Sequence, residues 1–357
     1  MVTCGMMSSP QNGVYVLDPL RDARWPEFVC RHSNGSVFHT RGWLRALWKT
    51  YGYEPVAFTT AAPAEGLTNA LLFCVVRSWL TGDRLVSLPF SDHCEPLVEH
   101  AEQFRRLSSV AESLMSEEQW KYVEIRSANS FLDCGGSFGR AATYSLHRLD
   151  LRPGLDALYK GFHEDCIQRK IRRAEREALT YEAGRSESLL QQLYGLLQLT
   201  RSRHQIPPQP FEWFRNLVIC LGKNACIRIA SKSGLPIAGI LTISHGKKMV
   251  YKYGGSDTRF NSLGGMPMLF WQAIKEAKQA GAEEFDFGRS DIDNPGLIAF
   301  KGRWSTVCST LTTWRAPIEA SSPRLERLKV RCAKEVFARL PDNMLAMAGR
   351  LLYRHIG

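Results

Sequence analysis

The stretch FDFGRSDIDNPGLIAFKGRW, residues 285–304, gathers side chains that can carry out group transfer. Asp286, Arg289 and Ser290 follow one another closely, and Lys301 comes after a Pro and a Gly. A carboxylate can accept a proton or orient an amine, and an ammonium group can stabilise an oxyanion or bind phosphate. Two simpler readings stay open: a structural ion pair between Asp286 and Arg289, and an ordinary surface lysine at 301.

The Asp-Phe-Gly triplet in this stretch also occurs in protein kinases, where its aspartate holds magnesium. That class needs an upstream Gly-rich loop, a strand lysine and a His-Arg-Asp loop. The nearest candidate, residues 147–150, reads His-Arg-Leu-Asp. The context therefore excludes kinase chemistry, and the absence of G-x-S-x-G leaves a serine nucleophile without support.

A predicted helix at residues 166–179, CIQRKIRRAEREAL, concentrates positive charge on one face. Helical spacing places four guanidinium groups together and the apolar side chains opposite them. Like charges at such spacings repel, which favours a phosphate or carboxylate bound on this face. The alternative is a solvated face with Glu175 and Glu177 as partial partners. The arginines are Arg169, Arg172, Arg173 and Arg176.

The segment YKYGGSDTRFNSLGGMP, residues 251–267, predicts a strand end, a glycine-containing loop and a helix start. Free backbone N–H groups at a helix start can hold a phosphate, and Arg259 adds positive charge. The alternative is an ordinary turn that needs glycine for its backbone angles.

The elements around these residues form an internal repeat. Three strands, a helix and a fourth strand are predicted at Ala225–Ala230, Leu235–Ser244, Met249–Gly254, Pro267–Ala280 and Glu284–Gly288. The same order appears earlier, at Pro55–Thr60, Asn69–Arg77, Arg84–Pro89, Glu102–Ser116 and Tyr122–Ser127, and YVEIRS aligns with FDFGRS. The repeat predicts two tandem α/β domains of one fold, each with a mixed sheet and flanking helices.

The connections predict how each sheet is built. Three strands in a meander are antiparallel, and a helical crossover returns the fourth strand parallel to the third. Such a sheet can splay at the parallel pair, with the helix N-terminus pointing into the gap as an anion site. We predict domains at residues 1–150 and 151–316, followed by a helical tail at 317–357.

Charge and composition limit the partners. The 357 residues include 46 Lys and Arg against 35 Asp and Glu, a net charge of +11 that favours an anionic partner. Nucleic acid, a nucleotide-containing donor and a membrane surface all fit, but no helix-turn-helix, zinc finger or RNP motif indicates specific DNA binding. The ten cysteines form no C-x-x-C pair, so we expect no metal. Neither a signal peptide nor a membrane span is visible, and we predict a cytoplasmic location.

Six stretches taken in order resemble the FemAB-like branch of the GNAT superfamily. They are SVFHTRGWLRALWKTYGYEPVAF (Ser36–Phe58), RLVSLPFSDHCEPLV (Arg84–Val98), RKIRRAERE (Arg169–Glu177), TRSRHQIPPQPFEWF (Thr200–Phe214), YKYGGSD (Tyr251–Asp257) and FDFGRS with GLIAFKGRW (Phe285–Trp304). The resemblance implies two tandem GNAT-like domains and N-acyl transfer. In the characterised branch, an aminoacyl-tRNA gives its amino acid to the amine of a cell-wall precursor; shorter relatives are associated with exopolysaccharide or envelope assembly.

The resemblance also suggests residue roles. The functional lysine of the family's F-K motif corresponds to Lys301, and we assign Asp286 to accepting a proton or orienting the amine. The acyl-CoA loop of GNAT enzymes would fall on Arg259, Gly264 and Gly265, where the chain reads R-x-x-x-x-G-G instead of R-x-x-G-x-G/A. No long helical hairpin of the kind that Fem ligases use for tRNA is inserted, so acyl-CoA and aminoacyl-tRNA both remain candidate donors. Substrate binding is assigned to Arg169, Arg172, Arg173, Tyr253, Arg289 and Ser290.

The basic tail predicts two short amphipathic helices. They can pack on the body or rest on an anionic membrane surface, which would suit a nucleotide- or lipid-linked acceptor. The functional prediction is an N-acyltransferase acting on an amine of a cell-envelope or exopolysaccharide-related acceptor. The alternatives are an aminoacyl-tRNA-dependent ligase of cell-wall precursors and a non-catalytic GNAT-fold protein that binds an anionic partner.

Overall fold

The computed structural model describes residues 11–128, 137–317 and 342–356, which fall into two compact units. Of these residues, unit 1 takes 11–128, 137–144, 310–317 and 351–356, and unit 2 takes 145–309 and 342–350. The chain thus passes from one unit to the other inside two strands. The domain boundaries predicted from the sequence, at residues 150 and 316, remain predictions. Residues 325–340, in which the first tail helix is predicted, lie outside the described residues.

Unit 1 contains an α/β fold built around a mixed sheet. Its elements are β1 (Tyr15–Leu17), α1 (Trp25–Arg31), α2 (Arg41–Tyr51), β2 (Glu54–Thr59), β3 (Leu71–Val76), β4 (Arg84–Val86), α3 (Ala101–Glu117) and β5 (Val123–Ser127). The chain then enters β6 (Gly139–Asp150), which continues into unit 2.

Unit 2 continues from β6. Its further elements are α4 (Leu155–Gly161), a π-helical turn (Glu164–Gln168), α5 (Arg169–Arg176), β7 (Thr180–Gly184), α6 (Glu187–Arg203), α7 (Phe211–Leu221), β8 (Ala225–Lys232), β9 (Leu235–His245), β10 (Lys248–Ser256), a 3₁₀ turn (Thr258–Leu263), α8 (Gly265–Gln279), β11 (Glu284–Asp291) and α9 (Pro295–Gly302). The strand β12 (Val307–Ala316) returns to unit 1, and α10 (Asp342–Ile356) follows. No helix among the described residues combines the length and apolarity needed to cross a bilayer.

The repeat predicted from sequence is present in both units. In unit 1, β2, β3 and β4 are antiparallel neighbours, and β5 returns parallel to β4 after α3. In unit 2, β8, β9 and β10 are antiparallel neighbours, and β11 returns parallel to β10 after α8. Strand β4, predicted at Arg84–Pro89, ends at Val86. It is shorter than predicted because Leu88 and Phe90 have positive φ angles of 59° and 61°. The tandem α/β prediction is confirmed.

The parallel pair of unit 2 separates soon after it forms. Only Lys248–Val250 and Glu284–Asp286 are in register, although both strands continue for several residues. A bulge between Tyr251 and Tyr253 turns β10 toward its other neighbour, β9, at this point. A gap therefore opens between the carboxyl ends of β10 and β11, as the strand order predicts.

An aromatic cluster fixes the elements around this gap. Phe270 of α8 stacks on Phe287 of β11 with ring centroids 5.2 Å apart. Trp304 lies 5.5 Å from Phe270 and 5.8 Å from Phe287, and Phe300 of α9 lies 5.8 Å from Phe270. Large buried rings dominate core energetics, so α8, β11 and α9 are held as one body.

The start of α8 is packed tightly under α5. Gly264 has a φ of +86°, and a Cβ there would lie 2.1 Å from the main-chain oxygen of Lys170. Ile171 and Ala174 of α5 are buried in the core shared with α8. The helix 166–179 predicted from sequence divides into the π turn and α5, and it ends early because Ala178 takes a φ of +49°.

We expect Gly264→Ala to lower the free energy of unfolding by about 2–5 kcal/mol. The left-handed backbone costs an alanine about 1–2 kcal/mol, and overpacking against Lys170 adds about 1–3 kcal/mol. Urea denaturation followed by circular dichroism measures the loss.

The matched control for this substitution is Gly234→Ala. Gly234 has a similar φ of +79°, and a Cβ there would meet no described atom within 4 Å. It should therefore show the backbone cost alone. Equal losses for the two variants would contradict the close approach of α5 to α8.

Candidate active site

The amino-terminal half of β11 carries a buried carboxylate, at the residue where the pairing with β10 ends. Asp286 is 2% exposed, and its Oδ1 accepts a hydrogen bond from the backbone N–H of Gly288 at 2.6 Å. Gly288 has a φ of +70°, which bends the strand at the point where it leaves β10. The local sequence Asp-Phe-Gly thus folds into a bent segment inside β11 that carries a buried acid.

Lys301 reaches back to the same strand end from α9. Its Nζ donates to the carbonyl oxygens of Gly288 at 2.7 Å and Arg289 at 2.9 Å. Asn294 begins α9 by accepting from the N–H of Leu297 at 3.1 Å, and Pro295 occupies its first turn, as predicted. Lys301 is 3% exposed, so the alternative of a surface lysine is wrong.

His147 of β6 completes this cluster and was not predicted from sequence. It is 2% exposed, and its Nδ1 makes no hydrogen bond with any residue that the structure describes. Burial lowers the pKa of His147 below its ordinary value, the charge of Lys301 lowers it further, and Asp286 partly opposes the shift. A buried imidazole that is neutral at physiological pH can accept a proton.

No local signal in the sequence points to His147. It sits in a strand with no motif around it, and it meets Asp286 and Lys301 only because β6 lies beside β11 in the sheet of unit 2. Alternation of polar and apolar residues could have predicted that His147 lies in a strand. It could not have predicted that β11 is the neighbouring strand.

Two more polar groups border the cluster. Ser290 is 2% exposed, and its hydroxyl has no hydrogen-bond partner among the described residues. Arg148 has its Nε 3.9 Å from Oδ2 of Asp286 and 3.7 Å from Oε1 of Glu284. Buried polar groups are almost always hydrogen-bonded, so a buried hydroxyl without a partner among the described residues calls for an explanation, of which a catalytic role is one.

The predicted arginine face lies on α5, next to the start of α8. All four arginines are exposed; Arg169 pairs with Asp165 at 3.3 Å, and Arg173 pairs with Glu177 at 2.5 Å. Arg172 and Arg176 have no carboxylate partner among the described residues. Two of the four arginines therefore have acidic partners, as expected for a solvent-exposed charged face. The other two have no such partner among the described residues.

The other predicted binding residues occupy different surroundings. Arg259 is held by Asp257, with Nη2 2.6 Å from Oδ2, while Gly264 is buried beneath α5 and Gly265 is buried against β9. Tyr253 is buried beside α7, where its hydroxyl accepts from Nε1 of Trp213 at 2.8 Å. Arg289 is half-buried on β11. The structure therefore groups Asp286 and Lys301 with His147, and it places Gly264 directly beneath α5, the helix that carries the arginines.

The equivalent strand end in unit 1 is chemically different. Glu124 is buried between Arg126 and Arg315, each 2.8 Å from one of its carboxylate oxygens. Burial alone would raise the pKa of Glu124, but the two arginines lower it below its ordinary value. The acid of unit 1 is thus held by two arginines at 2.8 Å, whereas that of unit 2 has Arg148 at 3.9 Å and shares the surroundings of His147 with Lys301.

The described residues place no group of three or more His, Cys, Asp or Glu side chains where they could hold a metal ion. The chemistry open to the cluster is that of a buried ammonium group, a carboxylate and a neutral imidazole. Such a set can stabilise a developing oxyanion and remove a proton from an amine.

Part of the chain matches a known protein family. The family described as Acetyltransferase (GNAT) domain matches residues 164–297, which include α5, α8 and β11. A Lipid II:glycine glycyltransferase from Staphylococcus aureus (strain USA300) is 29% identical over 118 residues, 29% of this chain and 28% of that protein. A similar enzyme from Staphylococcus haemolyticus (strain JCSC1435) is 28% identical over 120 residues. The match thus spans less than a third of the length of these curated relatives.

Solved structures show the same architecture over most of the chain. A crystal structure of FemX superposes with a TM-score of 0.63 at 15% identity, covering 86% of this chain and 98% of that one. A tandem GNAT protein from the clavulanic acid biosynthesis pathway superposes with a TM-score of 0.54 at 10% identity, covering 87% and 100%. At these identities the likeness establishes the tandem GNAT fold.

The lowered pKa of His147 predicts a pH-dependent contribution to stability. Because the unfolded chain binds this proton more readily, stability is fully present above the ordinary pKa of 6.5 and is lost as the pH falls below it. Between about pH 7.5 and about pH 5.5, His147→Gln should lose less unfolding free energy than the wild type, by at most about 1.4 kcal/mol per pH unit. Urea unfolding at both pH values measures the difference.

The control for this experiment is His100→Gln, which replaces an exposed histidine with no capping hydrogen bond. Its change in unfolding free energy between the two pH values measures the effect of losing an exposed imidazole, and the change for His147→Gln is compared with it. A His147→Gln variant that tracks the wild type would show that His147 titrates as it does in the unfolded chain.

Proposed function

We propose that the chain is an N-acyltransferase of the FemAB-like branch of the GNAT superfamily, which moves an acyl or aminoacyl group onto an amine of a cell-envelope acceptor; the GNAT match over residues 164–297 and the similarity to Lipid II:glycine glycyltransferases support this. The observation that carries this proposal is the buried cluster of Lys301, Asp286 and His147 at the open end of the β10–β11 pair. Ligands of open α/β sheets bind outside the carboxyl ends of the strands.

The proposed reaction is attack of a neutral amine on the acyl carbon of the donor. The new C–N bond forms as the bond between the acyl carbon and its leaving group breaks, and the amine gives up one proton. His147 accepts that proton at its free Nδ1, since its lowered pKa keeps the imidazole neutral. The leaving group departs with a proton returned from the site or from water.

Lys301 stabilises the negative charge that develops in the transition state. Its ammonium group is buried, so its field is weakly screened. The two carbonyl groups that it bonds fix its position before substrate arrives, which is the condition for effective electrostatic stabilisation. Asp286 orients the amine or the imidazole and balances the lysine charge.

The arginine face supports an anionic donor. Arg172 and Arg176 are exposed on α5, which packs against the first turn of α8. The carbonyl of Lys170 lies against Gly264, so we propose that the donor phosphates contact the arginines and that Gly264 and Gly265 serve the packing of α5. Both acyl-CoA and aminoacyl-tRNA carry phosphates that suit guanidinium groups.

The acceptor is proposed from the relatives. Their name, Lipid II:glycine glycyltransferase, points to an aminoacyl donor and a lipid-linked acceptor in that group. An exopolysaccharide-related amine is the second candidate acceptor. A non-catalytic protein that binds an anionic partner remains the contrasting function, and it would bind a donor without turning it over.

Transfer of labelled glycine from glycyl-tRNA, or of labelled acetyl from acetyl-CoA, to a lipid-linked peptidoglycan precursor tests the function. We expect the wild type to use one of these donors and Lys301→Met to lose about 10²–10³-fold in turnover, the loss typical of removing one oxyanion-stabilising group. In the same assay, His147→Gln should lower turnover and remove the acidic limb of the pH–rate profile.

Lys278→Met is the matched control for Lys301→Met. Lys278 also bonds a backbone carbonyl in unit 2, that of Leu151 at 2.8 Å, but it lies away from the gap. It should keep turnover near the wild-type value. A folded Lys301→Met protein with wild-type turnover, judged by thermal melting, would remove Lys301 from the mechanism.

Charge reversal on α5 tests the donor site. The double variant Arg172→Glu/Arg176→Glu should raise the KM for the donor about tenfold or more with little change in kcat, because charge-assisted hydrogen bonds contribute about 1.5–3 kcal/mol each. Initial rates at varied donor concentration separate KM from kcat.

The control with the same change in net charge is Lys223→Glu/Arg185→Glu, which reverses two exposed cations elsewhere in unit 2. It should leave the donor KM unchanged. If both double variants raise KM equally, the effect is one of net charge, and α5 does not bind the donor.

A further inference from the structure

The turn between β3 and β4 in unit 1 places apolar side chains in water. Trp79 is 86% exposed and its neighbour Leu80 is 51% exposed. They stand at the tip of the sequence RSWLTGDR, residues 77–84. A tryptophan exposed to this degree leaves a large apolar surface unburied, which marks interaction sites in folded proteins.

The turn is held rigidly. The Asp83 carboxylate accepts from the N–H of Ser78 at 2.8 Å, and the Ser78 hydroxyl accepts from the N–H of Thr81 at 3.0 Å. A flexible loop could fold its apolar residues back onto the sheet. This turn instead fixes Trp79 and Leu80 in their exposed positions.

The last turn of α10 joins the same surface. The carbonyl of His355 accepts from the Thr81 hydroxyl and from the Arg84 guanidinium, both at 2.8 Å. The His355 ring lies edge-on to Trp79 at 5.5 Å. Leu351, 66% exposed, is one turn before His355 on the same helix face, and Ile356, 56% exposed, follows it.

Positive charge surrounds these apolar groups. Arg77 precedes the tip with a side chain 48% exposed, and its guanidinium is 3.8 Å from Asp83. Arg354 is exposed in the last turn of α10. The whole chain carries a net charge of +11. We use the name tip surface for the surface formed by Trp79, Leu80, Leu351, Ile356, Arg77 and Arg354.

We propose that the tip surface docks on the interface of an anionic lipid bilayer. Tryptophan favours the headgroup level, where its ring is half in hydrocarbon, and leucine and isoleucine enter the acyl boundary. Neighbouring arginines add attraction to anionic lipid. Two apolar side chains on the β3–β4 turn and two at the end of α10 fall short of the roughly 800 Å² per partner that a stable protein interface buries. This inference is independent of acyl transfer.

Flotation with phospholipid vesicles tests the docking. The full-length protein should float with vesicles that contain phosphatidylglycerol, less with phosphatidylcholine alone, and less again at high salt. Trp79→Ala/Leu80→Ala should reduce the partition coefficient about tenfold or more, since burial of each such side chain contributes about 1.5–3 kcal/mol. Leu235→Ala, which removes a 48% exposed leucine from the β8–β9 turn of unit 2, should float as the wild type does.

A second readout places the tryptophan in the membrane. Brominated lipids should quench part of the intrinsic fluorescence, and Trp79→Phe should remove that quenching while keeping most of the binding. The proposal is overturned if the wild type does not float, if the double variant floats equally well, or if quenching survives in Trp79→Phe. It is also overturned if the double variant floats normally but loses self-association, because the surface would then bind a second copy.

Discussion

The hydrogen bonds from the buried Lys301 ammonium group to the carbonyls of Gly288 and Arg289 are the constraint on which the candidate site depends. A buried charge is costly unless polar groups solvate it, and buried carbonyls are costly unless they accept hydrogen bonds. The carbonyl oxygens therefore solvate the ammonium group, and the ammonium group supplies the hydrogen bonds that the carbonyl oxygens need. The contact ties α9 to the end of β11, at the point where that strand has left β10.

This contact forms only because the aromatic core fixes both elements that it joins. Phe300 and Trp304 flank Lys301 in the sequence and pack on Phe270 of α8, which itself stacks on Phe287 of β11. The lysine is thus held between two aromatic anchors. Close packing of this kind allows α9 only one position against the sheet.

The two units show how one fold can hold two kinds of acid. Glu124 in unit 1 is neutralised by Arg126 and Arg315, a complete ionic network. Asp286 in unit 2 has Arg148 at 3.9 Å and shares its surroundings with Lys301 and His147. Lysine and aspartate shift the pKa of His147 in opposite directions, and burial decides that the imidazole stays neutral. This difference in charge partners is the reason that we propose the active site in unit 2.

The sequence by itself determined the repeat, the antiparallel meanders, the parallel pairs and the cap of α9, because periodicity, turn residues and crossover length are local properties of the chain. It also indicated Asp286, Ser290 and Lys301, which lie close together in the chain. The tertiary structure decided that Lys301 is buried, that α5 covers the start of α8 at Gly264, and that His147 joins the cluster. These contacts depend on which strands become neighbours and which helices pack together, and no local pattern in the sequence encodes that choice.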